Sequence, residues 1–214
     1  SLIAARPWRR AARRRGGAGP GTGRVAGRLW RDPLAWQVTL FMGLQSSLAY
    51  TVFAWLAPVL RDRGFDPLAA GFAASMAVIC QIPSSFFAPM LAARRRSQGG
   101  AVLVVMALTL GGMMGCLFGP LGLVWVSSAV LGLGLGGLFA VALMLLVLRA
   151  PDAQAAAELS GMAQSFGYAL ASLGPLVFGL LHGATGAWTI PGAFFAAVAL
   201  VALLFGAAAG RDRQ

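Results

Sequence analysis

Residues Ser160 to Gly179 read SGMAQSFGYALASLGPLVFG. At a helical rise of about 1.5 Å per residue, a run of this length covers a hydrocarbon core of roughly 30 Å. It carries no charge, yet Gln164, Ser165, Tyr168 and Ser172 interrupt it. Two consequences follow. A backbone in lipid has to bond to itself, which predicts a helix. Side chains that lipid cannot satisfy have to face protein, water or a solute.

The rest of the chain repeats the first consequence. Of its 214 residues, 58% are hydrophobic and 11% charged, and the charges gather in short patches. Between them lie six apolar runs: Leu34 to Leu60, Leu68 to Ala93, Gly99 to Phe118, Leu121 to Leu148, Ala155 to Leu181 and Trp188 to Ala209. Each is long enough to cross a bilayer. None alternates polar and apolar residues as the strands of a membrane barrel do. The sequence therefore predicts an all-α membrane protein with six transmembrane helices.

Arginine sets the expected orientation, since the chain has no lysine. Nine of the seventeen basic residues precede the first run; three are Arg94, Arg95 and Arg96, one is Arg149, and two are Arg211 and Arg213. If the spans alternate, these fall on one side and only Arg61 and Arg63 on the other, which predicts that both termini are cytoplasmic. Residues 1–33 read as a basic, disordered cytoplasmic arm, 34–209 as a six-helix domain and 210–214 as a cytoplasmic tail. The arm is rich in Arg, Gly and Ala, has no apolar face, and suits a position beside anionic membrane lipids. Its arginines are not interleaved with aromatics and are tethered to a membrane, so no nucleic-acid partner is expected. No short apolar segment with a cleavage site marks a secretory signal. Abundant Arg, Ala and Gly without Lys or Asn suggests a GC-rich bacterial genome, hence the bacterial cytoplasmic membrane.

Chemistry-bearing residues are few. Cys80 and Cys116 both lie within apolar runs, where lone thiols serve as small packing residues. His182 is the only histidine and falls in a connection, read as a surface position without a second metal ligand nearby. The string GLGLGG, Gly132 to Gly137, lies inside a span rather than after a strand, so it is no nucleotide loop. No paired carboxylates or nucleophile–base pair occur in the spans. Neither an enzyme nor a metal or other cofactor is expected.

Polar side chains are distributed unequally. The third span has little beyond Thr109 and Cys116, and the sixth little beyond Thr189, so both are expected to face lipid, with Ala199 on the lipid side. The first span holds Gln37, Thr39, Gln45, Ser46, Ser47, Tyr50 and Thr51; the second holds Ser75, Gln81, Ser84 and Ser85. In the fifth, Gln164, Tyr168 and Ser172 recur every four residues, on one helical face. Gln45, Tyr50, Gln81, Gln164 and Tyr168 all fall near mid-span, the depth expected of a solute cavity, although polar groups also stitch helices together. Pro58, Pro83, Pro89 and Pro175 can kink or hinge their helices. The glycines of the fourth span allow either close packing or bending.

Two stretches, LAWQVTLFMGLQSSLAYTVFAWLAPVLRDRGFDPLAAG and LSGMAQSFGYALASLGPLVFGLLHGATGAW, resemble the C-terminal half of the cyanate and 2-nitroimidazole transporter family of the major facilitator superfamily. The resemblance covers about residues 30 to 210. The loop PMLAARRRSQ is similar to the second copy of the superfamily's cytoplasmic loop motif. It keeps Arg94, Arg95 and Arg96, the gating residues that the resemblance implies, without the usual acidic partner, and Gly183 stands where relatives commonly carry an acid. The resemblance implies a twelve-helix secondary transporter of small anion-like solutes working by alternating access. This chain would supply its last six helices, with an N-terminal six-helix half as partner. Gln45, Tyr50, Gln81, Gln164 and Tyr168 would then bind the solute. The competing expectation is a six-helix fragment or scaffold subunit that transports nothing.

Overall fold

The structure, a computed structural model, describes residues 30–93, 98–148, 150 and 152–210. The arm up to residue 29, Arg94, Arg95, Arg96, Arg149 and the tail beyond Gly210 lie outside the described residues. Among those described, secondary structure is helical without strands, and six helices are long and apolar enough to cross a membrane. They are α1 (Pro33–Asp62), α2 (Pro67–Ala93), α3 (Gly99–Phe118), α4 (Val124–Leu148), α5 (Ala153–Thr185) and α6 (Thr189–Ala209). This is an all-α multi-pass membrane protein.

Local chemistry places the helix ends. Asp66 accepts from the backbone N–H groups of Leu68 and Ala69, both at 3.0 Å, and Pro67 opens α2 where its missing N–H costs nothing. Asp152 caps α5 by accepting from the Ala155 N–H at 2.8 Å. At its far end α5 runs on to Thr185, past the expected limit at Leu181, and stops where Gly186 adopts a left-handed conformation (φ 64°). His182 is therefore part of a helix rather than of a connection. A polar side chain does not end a helix; the glycine does.

Arg63 explains one of the two arginines on the minority side. Its guanidinium donates to the carbonyls of Cys116 (2.5 Å), Gly115 (3.4 Å) and Gly119. These carbonyls cluster at the C-terminal end of α3, where Gly115 O also accepts from the Gly119 N–H and a cation is favoured by the helix dipole.

The packing partners are only partly the neighbours in sequence. α4 packs extensively on α2 and α3, and α3 in turn on α6. α1 and α5 run parallel, with Gly43 against Gly167, Ser47 against Gly174 and Trp55 against Gly179. α2 and α4 are also parallel, with Ala77 against Gly132 and Gln81 against Gly136. A Cβ on Gly132 would lie 2.1 Å from the Ala77 carbonyl oxygen, and one on Gly134 would lie 2.4 Å from Thr109 N. The glycines of α4 thus permit contact of backbones on two sides, which resolves their role in favour of packing.

Two expectations about faces require correction. Ala199 of α6 is fully buried, not lipid-facing; Gly192, Ala202 and Gly206 are buried with it, while Leu200, Val201 and Leu204 are exposed. Where a helix is apolar all round, side-chain size rather than polarity chooses the packed face, because small residues let backbones approach. α3 likewise buries its polar groups: Thr109 donates to the Val105 carbonyl at 2.9 Å, and Cys116 Sγ lies 3.6 Å from Ser128 Oγ.

Candidate functional site: a polar face on α1 and α5

Helix α5 divides into three sectors. At about 100° per residue, with Gly167 as origin, Ala163, Ala171, Gly174 and Phe178 fall within roughly 40° of it, and all are buried. Gln164, Ser165, Tyr168 and Ser172 occupy a sector from roughly 60° to 160°. Phe166, Leu173, Leu176 and Leu180, all exposed, occupy the remaining arc from about 180° to 260°. The helix thus has a packed face, a polar open face and an apolar open face. The first is set by glycine and alanine, which admit α1.

The contact with α1 brings Tyr50 to the polar face. Its ring centroid lies 6.3 Å from that of Tyr168, with the ring planes 43° apart. Tyr50 is 38% exposed, and neither phenol has a hydrogen-bond partner among the described residues. Gln164 is exposed, and its amide donates to Ser160 Oγ at 2.7 Å, leaving its carbonyl oxygen open. Ser172 returns its hydroxyl to the Ala169 carbonyl at 2.8 Å. Both tyrosines lie near the middle of their helices, at the depth where a bilayer offers no partner for a phenol.

The other expected site residues lie elsewhere. Gln45 is 1% exposed, and its amide donates to Ser46 Oγ at 2.8 Å and approaches Met42 Sδ at 3.4 Å. It is turned into the bundle and is not on the open face with Tyr50. Gln81 is half-buried against α4 and donates weakly, at 3.5 Å, to the Ala77 carbonyl on its own helix. Ser84 reaches the Leu133 carbonyl of α4 at 2.5 Å and Ser85 the Ile82 carbonyl at 2.7 Å. Gln81, Ser84 and Ser85 therefore serve backbone acceptors, and the outward face of α2 is Leu68, Phe72, Ile79, Ile82 and Phe86 with Ser75 among them. Ser165 joins the open face with a free hydroxyl; its place beside the four-residue stripe was the sequence signal for it. Arg94, Arg95 and Arg96, expected to gate, lie outside the described residues, and no group of three or more metal-ligating side chains occurs among those described.

No family model matches the chain. Among curated proteins it is similar to the uncharacterized transporter YycB of Bacillus subtilis, at 42% identity over 86% of the chain and 46% of that protein. It is similar to the 2-nitroimidazole transporter of Escherichia coli, at 35% identity over 87% of the chain and 47% of that protein. The cyanate transport protein CynX of Escherichia coli is 26% identical over 77% of the chain and 42% of that protein. The chain spans about half the length of these relatives. Over that matched length the similarity and the all-helical six-span fold agree, and the chain belongs with the cyanate and 2-nitroimidazole type of transporter in the major facilitator superfamily.

Proposed function

We propose that the chain forms the C-terminal half of a secondary transporter that carries small anion-like or weakly polar organic solutes, of the cyanate or nitroimidazole kind, by alternating access. A six-helix partner half would complete the cavity. The observation that carries this reading is the polar face itself: Tyr50, Gln164 and Ser165 stand exposed at mid-span, with Tyr168 half-buried beside them, in a chain whose relatives are named as transporters. Tyr50, Gln164 and Tyr168 would bind the solute, while Gln45 and Gln81 would be satisfied within their own helices. The described mid-span residues of this face include no cation or carboxylate, so a full charge on the solute would be balanced by the partner half.

The test is binding and uptake of cyanate and 2-nitroimidazole by the chain reconstituted with its partner half. Gln164→Leu and Tyr168→Phe should each raise the dissociation constant roughly fivefold to a hundredfold, since a buried polar group of the solute loses a partner worth about 1–3 kcal/mol. The melting temperature should stay near that of the parent. Lowered melting temperature with unchanged affinity in both variants returns the stripe to helix stitching and favours a non-transporting scaffold.

The arginine distribution supports an orientation with both termini cytoplasmic, and the bacterial relatives support a bacterial inner membrane. Cysteines introduced at Phe65 and Arg95 should react with an impermeant thiol reagent from opposite faces, Arg95 from the cytoplasm. Labelling of both from one face would refute the six-span topology.

A further inference from the structure

His182 lies where α1 and α5 end and α6 begins, away from the polar face and outside the transport reading above. Its Nε2 is 3.6 Å from Asp62 Oδ2 at the last residue of α1. Its ring stacks on Trp188, centroids 3.6 Å apart and planes within 7°. Trp188 is the residue immediately before α6, and its ring also meets Trp55 (6.1 Å) and Phe178 (5.9 Å). Trp55 is itself tied to α5, donating to the Pro175 carbonyl at 2.9 Å. The imidazole thus joins three helices through one ring. Its side chain is 24% exposed, and Nδ1 is buried without a partner.

The surroundings carry few other charges. The residues after His182, Gly183 to Trp188, and the first turn of α6 contain no titratable side chain. On the α1 side Arg63 is turned to the end of α3, Asp66 caps α2, and Arg61 is exposed with no partner among the described residues of this cluster. Asp62 is the charged group in contact with the ring.

We propose that His182 and Asp62 form a proton-operated latch that holds the α5–α6 turn against the end of α1. Three contacts are stronger with an imidazolium than with a neutral ring, and together they oppose the cost of an Nδ1–H buried without a partner. The Asp62 carboxylate attracts it, the carbonyl end of α5 favours a cation in the last turn, and the face of Trp188 offers a cation–π contact. Histidine is the side chain that changes charge between about pH 5 and 8. The latch is closed when the ring is protonated and loosens as pH rises and the proton leaves. Because α1 and α5 also carry Tyr50 and Tyr168, the proton is read at the end of the same helix pair that bears the polar face.

The chain's single histidine makes the test direct, because a histidine-labelled sample of the 214-residue chain in nanodiscs gives one ring signal. Ring charge is followed by nitrogen NMR across pH. Closure is followed by hydrogen exchange of the Gly186 and Gly192 amides, which bond to the His182 and Trp188 carbonyls at 2.8 and 2.9 Å. Exchange rates are referred to an unstructured peptide at each pH. Protection should be about twofold to fivefold greater with the ring protonated, the range of a partly exposed ion pair. In Asp62→Asn protection should follow ring charge more weakly, because only the helix-end and Trp188 contacts remain, and in His182→Gln protection should be insensitive to pH over the same range. Protection that ignores ring charge in the parent, follows it undiminished in Asp62→Asn, or persists with the same pH dependence in His182→Gln overturns the latch.

Discussion

The α1–α5 and α2–α4 pairs are built alike and finished differently. Both are parallel helices brought together by glycine, Gly43 and Gly167 in one pair and Gly132 and Gly136 in the other. In the first pair the surface left open carries two tyrosines, a glutamine and serines. In the second the open surface of α2 is phenylalanine, isoleucine and leucine with Ser75 as the one exposed hydroxyl of that row, while Gln81, Ser84 and Ser85 are spent on backbone carbonyls. Close approach of two backbones therefore says nothing about a site. What matters is which side chains occupy the sector that the approach leaves uncovered.

The contrast is sharpest at the glycines. A Cβ on Gly136 would fall 2.3 Å from the Gln81 carbonyl oxygen and 2.7 Å from its Cα, so backbone on α2 has to move. A Cβ on Gly43 would fall 2.9 Å from Gly167 Cα and 3.2 Å from the Leu170 side chain, a smaller overlap. Alanine at Gly136 should lower stability by about 3 kcal/mol and alanine at Gly43 by about 1 kcal/mol, the span usual for overpacking. Melting of the purified variants in one detergent measures both. Equal losses would mean that the two pairs are packed equally tightly and that α4 is not the tighter seam.

A smaller effect separates buried stitching from the open face. Gln45→Leu removes an amide that bonds to Ser46 and contacts Met42 on its own helix, and Ser84→Ala removes the hydroxyl bond from α2 to Leu133. Ser84→Ala should change stability by about 0.6 kcal/mol, the mean for hydrogen bonds between membrane helices, and Gln45→Leu, whose contacts stay within α1, by less, with solute affinity unaltered in both. A large loss of affinity in Gln45→Leu alone would move Gln45 to the solute site and shift the polar surface inward along α1.

Much of the fold was legible because lipid imposes it. Gly99 to Phe118 matches α3 residue for residue, and the other spans differ from their helices by a few residues at the ends. The exceptions have local causes: α5 ignored His182 and continued to the αL glycine Gly186, and a single 3-10 turn, Leu121–Leu123, precedes α4. The site was legible only in part. The four-residue stripe on α5 pointed to one exposed face, and Tyr50 arrived beside it through the glycine contacts. Gln45 and Gln81 carried the same polarity at similar depth and were placed inside the bundle or against α4.

Sequence by itself determined that this chain crosses a membrane as helices, how many times and over which residues, since an unpaired backbone group in hydrocarbon costs several kcal/mol and only internal bonding removes that penalty. It also determined which side chains needed a partner. Tertiary structure decided who the partner was. A serine, glutamine or tyrosine is satisfied equally by its own helix, by a neighbouring carbonyl or by a solute, and polarity alone does not distinguish these outcomes. The positions of small residues made the distinction, because Gly43, Gly132, Gly136, Gly167 and Ala199 settled which faces closed upon one another and so left Tyr50 and Tyr168 on the one that remained open.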